Sequence, residues 1–257
     1  MKIAVSGKGG VGKTTLAALL ASQFAKESYS VLAVDADPDA NLAGALGFPH
    51  PEDIVPISAM KELIEERTGA KPGQSGSYFK LNPKVDDIPE KYTENKDGIR
   101  LMVMGQIKRG GSGCYCPESS LLQALIGHLL LARNEVVILD MEAGIEHLGR
   151  ATAKAVDKLI VVIEPGRRSI ETALTIDKMA KDIGLNNIAL VGNKIRNQSD
   201  IDTLKSTLPD FEFLGFMSYD QSIVDADLAN LSTTSANQTT IDEAKNIYQS
   251  LLSSINK

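Results

Sequence analysis

The chain has 257 residues, 43% of them hydrophobic, which is enough to bury a sizeable core, and α/β folds of this size are often one domain. Its 27 Lys and Arg against 33 Asp and Glu leave a net charge of −6, which argues against gripping a phosphate backbone, so nucleic acid is not an expected partner. The opening MKIAVSG has no basic segment leading into a long apolar one, no apolar run nears about 18 residues, and Cys114 and Cys116 stand too close to staple a long loop, so a cytoplasmic protein off the membrane is expected.

Ile3 to Val5 form a short apolar run, then comes a loop with Gly7, Gly9, Gly10 and Gly12, then helix-forming Leu and Ala from Lys13. That is strand, glycine loop, helix. Gly7 to Thr14 fits G-x-x-x-x-G-K-[ST], whose backbone N–H groups cradle phosphates while the lysine reaches the β/γ-phosphates and the hydroxyl takes Mg²⁺. The nucleotide-binding set is therefore Gly7, Lys8, Gly9, Gly10, Val11, Gly12, Lys13, Thr14 and Thr15. Lys8 is a cation that the cradle does not need. It reads either as a solvated loop lysine or as a group reaching the nucleotide of a neighbouring subunit. The form KGGVGKTT resembles the deviant-Walker family of dimerising ATPases, which includes MinD, ParA and the nitrogenase iron protein and whose signature lysine sits at this place. The resemblance implies a homodimer closed by ATP, with Lys8 and Lys13 stabilising the transferred phosphate.

Ser30 to Val34 reads as a buried strand that Pro38 stops, leaving Asp35 and Asp37 where open parallel sheets bind ligands. Acidic residues there also cap helices. The family resemblance implies that the D-x-D-P aspartate, Asp37, orients the attacking water, and groups it with Thr14 and Asp140 around magnesium. Ile57 to Arg67 is expected as a short helix, Gly69 to Gly98 as an irregular segment, and Ile99 to Gly105 as the third strand.

In GGSGCYCPESS, Gly110, Gly111 and Gly113 loosen the chain, Pro117 suits a first helical turn, and Cys116 falls near the N-cap, where helical N–H groups favour the thiolate that binds metal. If the segment is extended, Cys114 and Cys116 point to one side. From spacing alone they are ligands, inert thiols or a redox pair. With the homodimer implied above, two thiolates from each chain would make an S₄ site at the dimer interface for Zn²⁺ or, distorted toward square-planar, Ni²⁺. Leu121, Leu122, Leu125, Ile126, Leu129 and Leu130 then give a helix a broad apolar face, with His128 a surface or packing residue. Val136 to Leu139 form an apolar strand, and Asp140 at its end is placed to hold the magnesium water shell or to cap the next helix.

DMEAGIEHLGR, read with the C-x-C and with FKLNPKVDDIPEK, closely resembles the CooC and AcsF group of nickel-maturation ATPases over nearly the whole chain. The resemblance implies a factor that helps deliver Ni²⁺ to a nickel enzyme, carbon monoxide dehydrogenase or acetyl-CoA synthase. It makes Gly144 a γ-phosphate sensor through its backbone N–H and His147 a switch residue. Two other readings stay open: a MinD- or ParA-like positioning ATPase without nickel, and an iron–sulfur electron-transfer protein like the nitrogenase iron protein.

Lys158 to Ile163 is the next strand, Arg167 to Ile183 a helix offering Ile170, Leu174, Ile176 and Met179 to the core, and Ile188 to Gly192 another strand. Asn193 follows. Read alone it is a buried loop amide, whereas in the family an asparagine here hydrogen-bonds the adenine. Phe211 to Phe216 is the last strand, and Ser218 stands where relatives show Pro before Tyr-Asp. The final helix, Ile241 to Ile255, has an apolar stripe and few basic residues, unlike the membrane-seeking helix of MinD. The expected whole is a single domain over residues 1–257, a three-layer P-loop NTPase with a mostly parallel central sheet flanked by helices, hydrolysing Mg-ATP to ADP and phosphate.

Overall fold

Fully apolar strands separated by helices can bury both faces only in a parallel sheet covered on both sides, and the computed structural model, which describes residues 1–72, 78–105, 116–133, 135–145, 148–229, 231–233 and 236–255, has that layering. The strands are β1 (Lys2–Gly7), β2 (Val31–Ala36), β3 (Glu94–Lys96), β4 (Ile99–Val103), β5 (Val136–Met141), β6 (Lys158–Ile163), β7 (Ile188–Ile195) and β8 (Glu212–Ser218). They form one 8-stranded sheet in the order β3-β4-β2-β5-β1-β6-β7-β8. Every pairing is parallel except β3 with β4.

The helices are α1 (Lys13–Lys26), α2 (Leu42–Ala45), α3 (Lys61–Thr68), α4 (Ile88–Lys91), α5 (Pro117–Leu131), α6 (Arg150–Ala153), α7 (Arg167–Asp182), α8 (Gln198–Thr207), α9 (Gln221–Leu228) and α10 (Gln238–Ile255). Alternate strand residues feed two cores. Ile3, Val5, Ile138, Ile160 and Val191 join α1 and α10 on one face, and Ala4, Leu139, Val161 and Leu190 join α3, α5, α7 and α8 on the other. Phe24 of α1 is fully buried, edge-on to Tyr29 at 5.4 Å and to Tyr248 of α10 at 4.8 Å. No helix among the described residues is long and apolar enough to cross a membrane.

Several boundaries differ from expectation, and those at β5 and β7 share a reason. A polar side chain interrupts an apolar run without interrupting the backbone ladder. Asp140 therefore lies inside β5, in register with Val5 and Asp35, and Asn193 and Lys194 lie inside β7. Residues 57–67 divide into a 3₁₀ turn, Ile57–Ala59, and α3, because Met60 leaves helical geometry. The segment expected to be irregular contains α4 and β3, the latter folded back on β4 through Asp97 and Gly98, both at positive φ. On α7 the inward residues are Ser169, Ala173, Ile176 and Ala180, so Leu174 points to solvent, 47% exposed, and is not a core residue.

This contrast sets a test. Phe24→Ala is expected to cost about 3–5 kcal/mol of unfolding free energy in denaturant titrations, while Leu174→Ala stays within about 0.5 kcal/mol of the parent.

Candidate functional site

The site lies at the C-terminal ends of the central strands, and its geometry begins with steric exclusion. Gly7 ends β1 at φ +145°, and a Cβ there would collide with the Val162 carbonyl oxygen of β6. Gly12 sits at φ +96°, and a Cβ there would collide with the Asn193 amide. Between them the chain curls over Val11, which is fully buried and anchors the loop from below. Helix α1 starts at Lys13 with no side-chain cap and no acidic residue in its first turn, so its leading N–H groups and positive dipole end are left for an anion. Gly9, Gly10, Gly12, Lys13, Thr14, Thr15 and Asp37 line a cleft of about 810 Å³, within the usual range for small-molecule sites.

Lys13 is almost fully buried, with its Nζ 3.8 Å from Asp37 Oδ2. The two aspartates of D-x-D-P have different surroundings. Asp35 is fully buried in β2 and accepts N–H bonds from Asp37 (3.2 Å) and Leu42 (2.8 Å), tying down the turn that follows. Asp37 accepts one from Asp39 at 3.1 Å and turns its other oxygen to Lys13. Across the sheet from Asp35, Asp140 is fully buried, and neither of its oxygens finds a hydrogen-bond partner of ordinary geometry among the described residues. Burial raises both pKa values, to about 6 for Asp35 and about 7 for Asp140. For Asp140 the nearby Asp35 charge adds to that rise, whereas the Thr14 hydroxyl and Lys13 oppose it. A buried carboxylate with unmatched oxygens beside a lysine and a threonine hydroxyl fits a hydrated divalent cation, which would supply the missing partners.

Other expected residues have partners of their own. The Gly144 N–H, expected to sense a γ-phosphate, donates to Ser6 Oγ at 3.3 Å, and the Ser6 hydroxyl lies 2.7 Å from the Gly144 carbonyl oxygen. Asn193, expected at the adenine, donates from Nδ2 to the Val11 carbonyl oxygen at 2.8 Å and accepts the Lys194 N–H on Oδ1 at 2.8 Å, so its amide braces the phosphate loop. Lys8 is partly exposed, 3.6 Å from Glu164 Oε1. Cys116 is the N-cap of α5, accepting the Ser119 N–H at 3.5 Å, with Pro117 in the first turn as expected. Cys114 and His147 lie outside the described residues, as do Gly110, Gly111 and Gly113.

The departure at Ser218 has a structural use. Its N–H and hydroxyl both donate to Glu243 of α10, at 2.8 and 2.7 Å, bonds that a proline could not make. Ser6 inside the site, and Glu164 and Lys194 beside it, did not stand out in the sequence. Of these, Ser6 adjoins a recognised motif, preceding Gly7 of the phosphate loop.

Residues 2–233 match the CobQ/CobB/MinD/ParA nucleotide binding domain. The chain is 46% identical over 254 residues to the carbon monoxide dehydrogenase accessory protein CooC of Rhodospirillum rubrum, covering 98% of this chain and 96% of that protein. It is 50% identical over 227 residues to an ATP-binding protein of Methanocaldococcus jannaschii, covering 87% of each. The same fold occurs in a plasmid partition protein of Borrelia burgdorferi bound to AMPPNP, with a TM-score of 0.70 at 18% identity over 98% of both chains. It also occurs in MinD of Pyrococcus horikoshii complexed with Mg-ADP, with a TM-score of 0.67 at 18% identity over 96% of this chain and 93% of that one. Phosphate loop, buried aspartates and sequence together make this chain an ATPase of the CobQ/CobB/MinD/ParA nucleotide-binding family, of the CooC type.

Proposed function

We propose that this ATPase is a maturation factor: a homodimer that carries nickel on Cys114 and Cys116 of both chains and uses ATP binding and hydrolysis to assist its insertion into carbon monoxide dehydrogenase or acetyl-CoA synthase. The observation that carries the reading is the full-length identity with a carbon monoxide dehydrogenase accessory protein. The N-cap placement of Cys116 supports it, since its sulfur stands at the head of a helix rather than inside a core. Two thiolates from one chain are half of a closed four-ligand site, so shared coordination needs a second chain.

In this reading the leading N–H groups of α1 and the Lys13 ammonium bind the phosphates, and Asp37 orients the attacking water. Bound Mg²⁺ would neutralise phosphate charge, held by the Thr14 hydroxyl and, through its water shell, by Asp140. Lys8 serves the partner's nucleotide. Gly144 changes partner from Ser6 to the γ-phosphate, which moves the loop after β5 and links nucleotide state to the rest of the dimer.

Metal titration of the apo-protein followed by sedimentation tests the nickel assignment. One Ni²⁺ per two chains is expected, lost in the Cys114→Ala, Cys116→Ala double variant, whereas one per monomer contradicts it. The magnesium assignment has a pH signature. Because the folded pKa of Asp140 lies above the unfolded value near 3.8, the folded apo-protein holds a proton that the unfolded chain has released, and stability falls as pH rises from about 4 to about 7. Asp140→Asn is therefore expected to melt higher than the parent at pH 8 without ligand, with the gain shrinking toward pH 5, and to lose the extra stabilisation that Mg-ATP gives the parent. Thermal melts at the two pH values, with and without Mg-ATP, check both.

A further inference from the structure

The ends of three neighbouring strands place three charged side chains together beside the phosphate loop. Gly7 of β1 is in register with Val162 of β6, and Ile163 of β6 with Gly192 of β7, so Lys8 and Glu164, just past the ends of β1 and β6, come close to Lys194 near the end of β7. Glu164 is shared. Its Oε1 lies 3.6 Å from Lys8 Nζ and its Oε2 lies 3.6 Å from Lys194 Nζ. Lys194 in turn donates to the Gly10 carbonyl oxygen at 2.6 Å, from a backbone held at φ +57°, a conformation that a residue with a Cβ keeps only where its surroundings enforce it. The Glu164 backbone is fixed as well, its N–H donating to Ser169 Oγ at 3.1 Å in the first turn of α7.

From this geometry we infer that Glu164 is a positioning residue that moors Lys8 to its own chain. Lys194 occupies one carboxylate oxygen and ties it to the apex of the phosphate loop, which leaves the other oxygen for Lys8. A lysine held this way faces its own loop and is withdrawn from any second chain. To act on a partner's nucleotide it has to leave Glu164, so the carboxylate sets a threshold for dimer closure. This rests on the reading of Lys8 as a group acting across the dimer. All three side chains are between about a quarter and two-fifths exposed, with 37% for Lys8, 28% for Glu164 and 41% for Lys194. The tether is accordingly weak enough to be broken by an incoming triphosphate, as exposed ion pairs are.

The test is the dependence of ATPase rate on protein concentration at saturating Mg-ATP. Glu164→Gln keeps the shape and removes the charge. It is expected to lower the concentration giving half-maximal specific activity about two- to fivefold, on the scale of an exposed pair, and to leave the plateau rate unchanged. An unchanged or raised half-maximal concentration overturns the mooring role, as does a fall in the plateau. The underlying reading is checked separately by mixing Lys8→Ala with Asp37→Asn chains, since one composite site would then receive Lys8 from one chain and Asp37 from the other. Recovery of activity on mixing, together with a Glu164→Gln curve like the parent's, refutes the mooring alone. Absence of recovery refutes the action of Lys8 across chains, and the mooring with it.

Discussion

The structure depends on how closely the backbone after β1 can approach its neighbours. That loop is pressed between the Val162 carbonyl of β6 and the Asn193 amide of β7, and the two glycines at its ends are the places where no Cβ fits. Because β1 is central, with β5 on one side and β6 on the other, the loop emerges where the aspartates of β2 and β5 also end their runs. Cation, anion-binding N–H groups and carboxylates thus converge because the strand order puts them there, with few long side chains needed to bridge gaps.

The electrostatics follow from the same crowding. Two carboxyl groups in register across β2 and β5, both without solvent, are an unfavourable arrangement in the empty protein. Asp35 is partly compensated by two backbone N–H groups, whereas Asp140 has only the Thr14 hydroxyl and the Lys13 charge to oppose its burial. The burial of Asp140 is therefore least compensated at the point where a divalent cation would supply partners.

What could be read from sequence was what is local in the chain. The phosphate loop, the capping of α5 by Cys116 before Pro117, and the apolar faces of α5 and α10 all rest on residues within a few positions of each other. The bracing of Gly10 and Val11 by residues 184 and 182 positions downstream, and the hold of Glu243 on Ser218, are made only by the fold. Strand β3 is a different case. Asp97-Gly98 is a hairpin turn signal, but three polar residues, Glu94, Asn95 and Lys96, are too few to display an alternation, so the signal passed as part of an irregular stretch. On α7, Ile176 is buried and Ile170 and Met179 pack against the core as expected, whereas Leu174 was misplaced because the small residues Ser169, Ala173 and Ala180 fill the rest of the inward face.

That short hairpin has a bearing on how copies of this chain can meet. A parallel sheet ending at β4 would offer its open row of amides and carbonyls to any other extended chain. Instead β3 occupies that row with only three residues, carrying Glu94 and Lys96, and turns back at once. Stacking of sheets edge to edge is discouraged at this end, and encounters between molecules are steered away from fibre-like growth.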